Sequence, residues 1–360
     1  MPERTFRLST KDHDDRPVFI AGSFNGWREA DDQYQMRAGA EPGSFELTVS
    51  FPLTVDHIEY KYTRGGWDCV ELGASGESID NRVRNPQEVW HDRDHVSRWG
   101  GDGLHFRQDL LPVIEVINEE FEIPQLIRTR RVAALLPHDY HQTDKRYPVL
   151  YLQDGQNLFD DYAPYGSWGV DKQLASLAER GMGDVIIVAI DHAAEQRISE
   201  FNPSPNSKLG MGEGRKYLRF LVETLKPYVD HHFRTKPEPE FTGIGGSSLG
   251  GLISIYAGIF YPKAYQRLMI FSPSLWVTPN IPFHLMRLVQ QFEGRIYLYG
   301  GEAESKTMVS NMMRFRNQFL AQSGTEKVQF RTEIDPQGQH NEARWGQEFP
   351  KALAWLFFDQ

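Results

Sequence analysis

A single cysteine, Cys69, is present in 360 residues. No internal disulfide can form, and zinc sites built on several cysteines are excluded. Long apolar runs are missing as well. The longest, Val185-Ile-Ile-Val-Ala-Ile190, falls far short of the roughly 18 residues that a membrane-spanning helix needs. Basic residues are outnumbered, 39 Lys and Arg against 49 Asp and Glu, for a net charge of -10 and a pI near 5.7. Neutralisation of a phosphate backbone therefore has no global support, and neither nucleic acid nor a membrane is expected as a partner. The opening MPERTFRLSTKDHDD lacks the basic-then-apolar pattern of an export signal, so the expectation is a cytoplasmic location.

What is present is an ordinary globular composition, 40% hydrophobic and 24% charged with a mean hydropathy of -0.52, which excludes a fibrous or wholly disordered chain. At a working figure of roughly 150 residues per domain, the length implies about two domains. Short runs rich in β-branched and aromatic residues at 17–21, 44–50 and 57–63, set between Gly, Pro, Asn and Asp clusters, predict a small antiparallel β-sandwich over residues 1–100. The polar, Gly-rich stretch 91–111 reads as a connector, and 101–112 as the linker proper. From residue 113 to 360, apolar runs at 131–137, 148–152, 184–190, 241–245, 267–271, 295–299 and 328–334 alternate with helical segments. That alternation predicts a mostly parallel sheet with helices on both faces. The first two runs are close enough in sequence for a hairpin at the sheet's edge. Stripes such as Tyr217, Phe220, Leu221, Leu225 and Tyr228 fall at helical spacing and read as core.

Gly246-Ser247-Ser248-Leu249-Gly250 fits G-x-S-x-G and lies between an apolar run and a helical one. A serine on a sharp strand-to-helix turn, flanked by small residues, has its hydroxyl lifted into solvent, which makes Ser248 the nucleophile candidate. A base must follow, and only His284 and His340 come after Ser248. His284 opens an apparent helix, where a capping or surface role is expected. His340 sits in a loop between the last expected strand and the C-terminal helix, where a catalytic histidine belongs. The carboxylates between Ser248 and His340 are Glu293, Glu302, Glu304, Glu326, Glu333 and Asp335. Glu302 and Glu304 follow the strand at 295–299, at the end where site loops gather in an open parallel sheet. Glu304 is preferred as the orienting acid and Glu302 is the runner-up. The oxyanion donors are expected to be the N–H groups of Leu249 and of Gln156, in the turn after the strand at 148–152.

Several ordered motifs together carry a family resemblance: YPVLYLQDGQNLFD (147–160), R-x-x-E-F-x-P (197–203), GGSSLGG (245–251), SPSLW (272–276), YLYGGEAES (297–305) and QGQH (337–340). Residues 113–360 resemble the esterase D-like, enterochelin-esterase-like α/β-hydrolases. The resemblance implies carboxylic ester hydrolysis by a serine, acid and histidine triad on Ser248, Glu304 and His340, without a metal or other cofactor. Aspartate is usual at the acid position in that family, so glutamate here is a departure. Candidate pocket walls are Trp168, Asp171, Arg197, Glu200 and Trp276, with Arg197 and Glu200 expected to pair. Residues 21–27 (AGSFNGW) and 60–67 (YKYTRGGW) resemble glycogen-recognition modules of the isoamylase N-terminal type, an immunoglobulin-like sandwich. That likeness implies α-glucan binding by Trp27, Lys61 and Trp67. Feruloyl or acetyl esters of carbohydrates fit such a module. Siderophore triesters are the alternative substrate, and a catalytically silent glucan-binding or scaffold protein is the alternative function. The adjacent pair His231-His232 carries no metal motif.

Overall fold

The computed structural model describes residues 3–10, 16–72, 79–100, 106–160, 163, 166–204, 209–278, 289–323 and 327–358. The chain divides into two compact units, Met1–His105 and Phe106–Gln360. His284 and Glu326 lie outside the described residues.

The first unit is β-rich. Its strands are β1 (Glu3–Thr10), β2 (Phe19–Gly22), β3 (Arg37–Ala38), β4 (Ser44–Ser50), β5 (Ile58–Thr63), β6 (Glu71–Leu72), β7 (Arg82–Arg84), β8 (Asp94–Val96) and β9 (Arg98–Trp99). They form sheets in the orders β3-β4-β1-β8, β2-β5-β7 and β6-β9. Alternation along β1 and β5 sends Phe6, Leu8, Ile58, Tyr60 and Tyr62 into one aromatic core with Ile20, Val96 and Trp99. Residues 91–111 are thus not all connector, because β8 pairs in parallel with β1. Its polar sequence concealed it. The Asp94 carboxylate is buried as the shared acceptor of the Tyr60 and Tyr62 hydroxyls, at 2.8 and 2.7 Å, and of Arg82 and Arg84.

The second unit holds an eight-stranded sheet of β10 (Val113–Ile123), β11 (Arg128–Leu136), β12 (Val149–Gln153), β13 (Ile186–Ile190), β14 (Thr242–Ser247), β15 (Arg267–Phe271), β16 (Gly294–Gly301) and β17 (Val328–Asp335), in the order β10-β11-β13-β12-β14-β15-β16-β17. All pairings from β13 through β17 are parallel. The edge hairpin is β10 with β11, not β11 with β12, which sits between β13 and β14. β10 alternates apolar residues with Glu115, Glu119 and Glu122, the mark of a half-exposed edge strand, while VLYLQ of β12 is buried throughout and so takes a central place.

Successive side chains of the central strands enter two different cores. Val149, Tyr151, Ile186, Val188, Leu268 and Ile270 join one, whereas Leu150, Leu152, Ile187, Ala189, Met269 and Phe271 join the other. Helices α1 (Val170–Glu179), α2 (Arg197–Glu200), α3 (Gly214–Phe220), α4 (Lys226–His232), α5 (Ser248–Phe260), α6 (Met308–Ser323) and α7 (Glu342–Phe357) accompany the sheet. α3, α5 and α6 supply the first core; α1 and α7 supply the second, so both faces of the sheet are covered. Every residue from Leu249 to Ile259 is buried, as an apolar-all-round helix requires.

Candidate active site

Six parallel strands, β12 through β17, end on one side of the sheet, and the turns that follow them carry the residues of interest. At the end of β14 the chain turns into α5 through Ser248, whose φ is +56°. A left-handed conformation costs a non-glycine residue roughly 1–3 kcal/mol and persists only when its surroundings over-determine it. Here they do, since β14 is registered on both β12 and β15. Two glycines permit the close approach. A Cβ on Gly246 would lie 3.0 Å from Gln153 Cβ, and one on Gly250 would lie 3.0 Å from Asp154 Oδ2.

Ser248 Oγ makes its hydrogen bond with Ser274 Oγ at 3.1 Å, and the Ser274 N–H donates to the Ser248 carbonyl at 3.0 Å. His340, in the loop between β17 and α7, places Nδ1 2.7 Å from Glu304 Oε2. Glu304 is almost sealed from solvent, with 1% of its side chain exposed. Its second oxygen, Oε1, accepts from Ser272 Oγ at 2.6 Å and from the Gly301 N–H at 2.7 Å. Trp345 Nε1 donates to Ser272 Oγ at 2.9 Å, and the Trp345 ring meets the His340 ring edge-on at 4.9 Å. Carboxylate, imidazole and indole thus fix one another. Glu302, the runner-up acid, is exposed in the same turn.

Ser248 and His340 share a cavity of about 640 Å³ with Asp154, Asn157, Trp168, His192, Arg197, Glu342 and Trp345. Trp168 is buried and stacks on Phe271, with centroids 5.4 Å apart. Arg197 grips Asp154 bidentately at 2.6 and 2.8 Å. Burial opposes the Arg197 charge, but bonding to Asp154 outweighs it and raises the guanidinium's affinity for its proton further. His192 is moved the other way, below the ordinary histidine value, chiefly by burial. Its Nδ1 accepts from the Ala194 N–H at 2.9 Å, which fixes the neutral tautomer with the proton on Nε2.

Several expected walls lie elsewhere. Glu200 does not pair with Arg197. It is fully buried and bonded to Arg128 and Arg130 from β11, a structural arrangement away from the cavity lining. Asp171 lies in the first turn of α1 and is not among the lining residues. Trp276 is half exposed and also outside the lining. Leu249 is the second residue of α5, so its N–H has no acceptor within the helix. The Gln156 side chain turns away to accept from the His192 N–H at 2.9 Å, which leaves only its main chain for the oxyanion role. Ser272, Trp345, His192, Asp154, Asn157 and Glu342 were missed from sequence. Ser272 falls in SPSLW, and Asp154 and Asn157 fall in YPVLYLQDGQNLFD, yet nothing local marks these side chains as site groups.

In the β-rich unit, Trp27 and Trp67 come together with ring centroids 6.2 Å apart and planes at 43°. Trp27 has a φ of +60°, and Trp67 is 42% exposed. Lys61 on β5 donates to the Ile79 carbonyl.

Comparison with known proteins adds three findings. The family model Esterase matches residues 123–356. Among curated proteins, YbbA of Bacillus subtilis is 24% identical over 240 residues, 63% of this chain and 92% of that protein, and an alpha-amylase of Niallia circulans is 38% identical over 84 residues, 23% of this chain and 6% of the amylase. Among solved structures, the enterobactin esterase FES of Shigella flexneri, determined in the presence of enterobactin, superposes with a TM-score of 0.55 at 17% identity, over 98% of this chain and 92% of that one.

Proposed function

The chain belongs to the Esterase family and is a carboxylic ester hydrolase, and from that premise we propose that it is a serine esterase working through an acyl-enzyme. In this reading His340 takes the proton from Ser248 as the hydroxyl attacks the ester carbonyl, and Glu304 holds the imidazole in the tautomer that leaves Nε2 free to do so. Leu249 and Gln156 N–H groups hold the oxyanion. His340 then returns the proton to the departing alcohol, and water releases the acyl group by the same steps in reverse order. The observation that carries the reading is the sealed Glu304 carboxylate 2.7 Å from His340 in the cavity that also exposes the strained Ser248. The bond between Ser248 and Ser274 is the resting arrangement, and substrate binding releases the hydroxyl to His340.

For the substrate, the cavity favours a hydroxyl-bearing ester of the carbohydrate type, feruloyl or acetyl. Its lining has three carboxylates, Asp154, Glu195 and Glu342, against the one guanidinium of Arg197, which Asp154 already occupies. An anionic catecholate triester would meet repulsion there. The expected outcome is faster turnover of acetylated or feruloylated sugars than of a catecholate siderophore, and of both by a route that Ser248→Ala abolishes. Preferential hydrolysis of the siderophore would overturn the substrate assignment, and retained activity in Ser248→Ala would overturn the mechanism.

A second reading concerns the β-rich unit, taken as an immunoglobulin-like sandwich that binds α-glucan. The juxtaposition of Trp27 and Trp67 supports it, since paired indoles offer apolar faces to the C–H faces of sugars. The likeness of an 84-residue stretch to an alpha-amylase supports it as well.

A further inference from the structure

Glu342 is the first residue of α7 and lines the catalytic cavity with Ser248 and His340, yet the triad does not use it. It is half-buried. Among the described residues it makes no ion pair, and Asn157 Nδ2 donates to its Oε1 at 3.3 Å. The guanidinium in the cavity, Arg197, is committed to Asp154. A carboxylate in a partly dehydrated wall without a cation is costly unless something donates to it. Burial raises its proton affinity above the ordinary glutamate value; a hydrogen bond from its own main-chain N–H opposes this, and the neighbouring Asp154 charge adds to the rise against His340 and Arg197. Asn157, itself buried, donates to Oε1 and so orients the carboxylate.

Its place identifies what it faces. A general acid must touch the oxygen of the leaving group, so the alcohol half of the ester lies on the His340 side of the cavity, and Glu342 follows His340 by two residues. We propose, building on the serine-esterase reading, that Glu342 is the residue that selects the alcohol: its carboxylate, set in the cavity wall by Asn157, accepts a hydrogen bond from a hydroxyl on the alcohol half, so the enzyme prefers polyol esters to esters of simple alcohols. Asn157 is the positioning residue that holds it.

The test compares two acetates that share an acyl group, glycerol monoacetate and propyl acetate, by their kcat/KM in the intact chain. A charge-assisted hydrogen bond gained only with the polyol predicts a preference of about tenfold to a hundredfold for the glycerol ester in the wild type. Glu342→Ala is expected to collapse that ratio towards one, mainly through KM for the glycerol ester. Glu342→Gln, which retains an acceptor, is expected to restore part of it. An equal loss on both acetates in Glu342→Ala would overturn the proposal, because the residue would then act through His340 or the fold. Acetylcholine is the third substrate. If it outpaces glycerol monoacetate and loses that advantage in Glu342→Ala, the carboxylate binds a cation and the hydroxyl assignment fails. Failure of the underlying reading looks different, since neither acetate would then depend on Ser248.

Discussion

Six described residues other than glycine have positive φ, and they are distributed unequally between the two units. In the hydrolase unit, Asp154, Ala194 and Ser248 line the cavity shared with His340, and Ser272 holds the Glu304 carboxylate that meets His340, leaving only Ile127 at a hairpin tip remote from them in the chain. The β-rich unit has Trp27 alone, beside Trp67. Strain persists where surrounding structure over-determines it, and it gathers at sites where geometry matters for chemistry. In the hydrolase unit four strained turns converge on one cavity from four strand ends, each locked by a buried sheet. One strained turn at a surface is enough to present an indole. The contrast fits the two proposals, since a reacting centre must hold atoms within fractions of an ångström while a glucan platform would need only an apolar face.

That contrast sets the scale of the expected effects. Ser248→Ala removes the proposed nucleophile and is expected to lower hydrolysis of a short-chain nitrophenyl ester by about a thousandfold or more. Glu304→Gln is expected to cost about a hundredfold in kcat, because a neutral amide no longer stabilises the imidazolium, whereas Glu302→Gln, exposed on the same turn, should change kcat by less than about twofold. A larger loss in the second variant would exchange the two assignments. In the β-rich unit, Trp27→Ala should weaken co-sedimentation with glycogen by roughly tenfold, the value of one lost aromatic contact. Unchanged co-sedimentation, or none in the wild type, would break the glucan half of the comparison.

The smallest effect concerns stability under the Asp154 turn. Asp191 lies beneath it, with Oδ1 2.6 Å from where a Cβ of Gly155 would stand. Burial, helped by Glu119 and Asp154 against Arg131 and Arg130, pushes the Asp191 carboxyl up to about 6. The native chain therefore binds more protons than the unfolded chain between about pH 4 and pH 6, and this group's contribution to stability falls as pH rises through that window. Asp191→Asn should flatten that part of the profile and raise stability at pH 8 by about 1–2 kcal/mol, measured by denaturant melts. A variant less stable at pH 8 would show that the Arg131 pairing outweighs burial.

What the sequence made legible follows the range of the interactions. The strand-to-helix turn at Ser248 was readable because its requirements are local: an apolar strand, small neighbours and an apolar helix in one stretch. The placement of His340 in the cavity with Ser248 was within reach by elimination, since few histidines follow the serine. Between Glu302 and Glu304 the chain gave only a preference, because β16 ends at Gly301 and the alternation of a strand no longer decides which way a side chain faces. The partners of Arg197 and Glu200 were misread. Each bonds across long separations, Arg197 to Asp154 over 43 residues and Glu200 to Arg130 over 70, while their spacing of three made a local pair look natural. β8 and β10 were hidden for a related reason, as their polar residues are satisfied by tertiary partners or by solvent at an edge. The cavity-lining role of Glu342 depended on where α7 starts relative to the Asp154–Asn157 turn, and no local pattern reports that.

The most direct test of the central claim is covalent. The intact protein would be treated with a fluorophosphonate and the adduct located by peptide mass spectrometry. The account predicts one adduct, on Ser248, formed in the wild type and in Glu302→Gln, slowed in Glu304→Gln and absent in Ser248→Ala. An adduct on another residue, or equal labelling in Ser248→Ala, would contradict it.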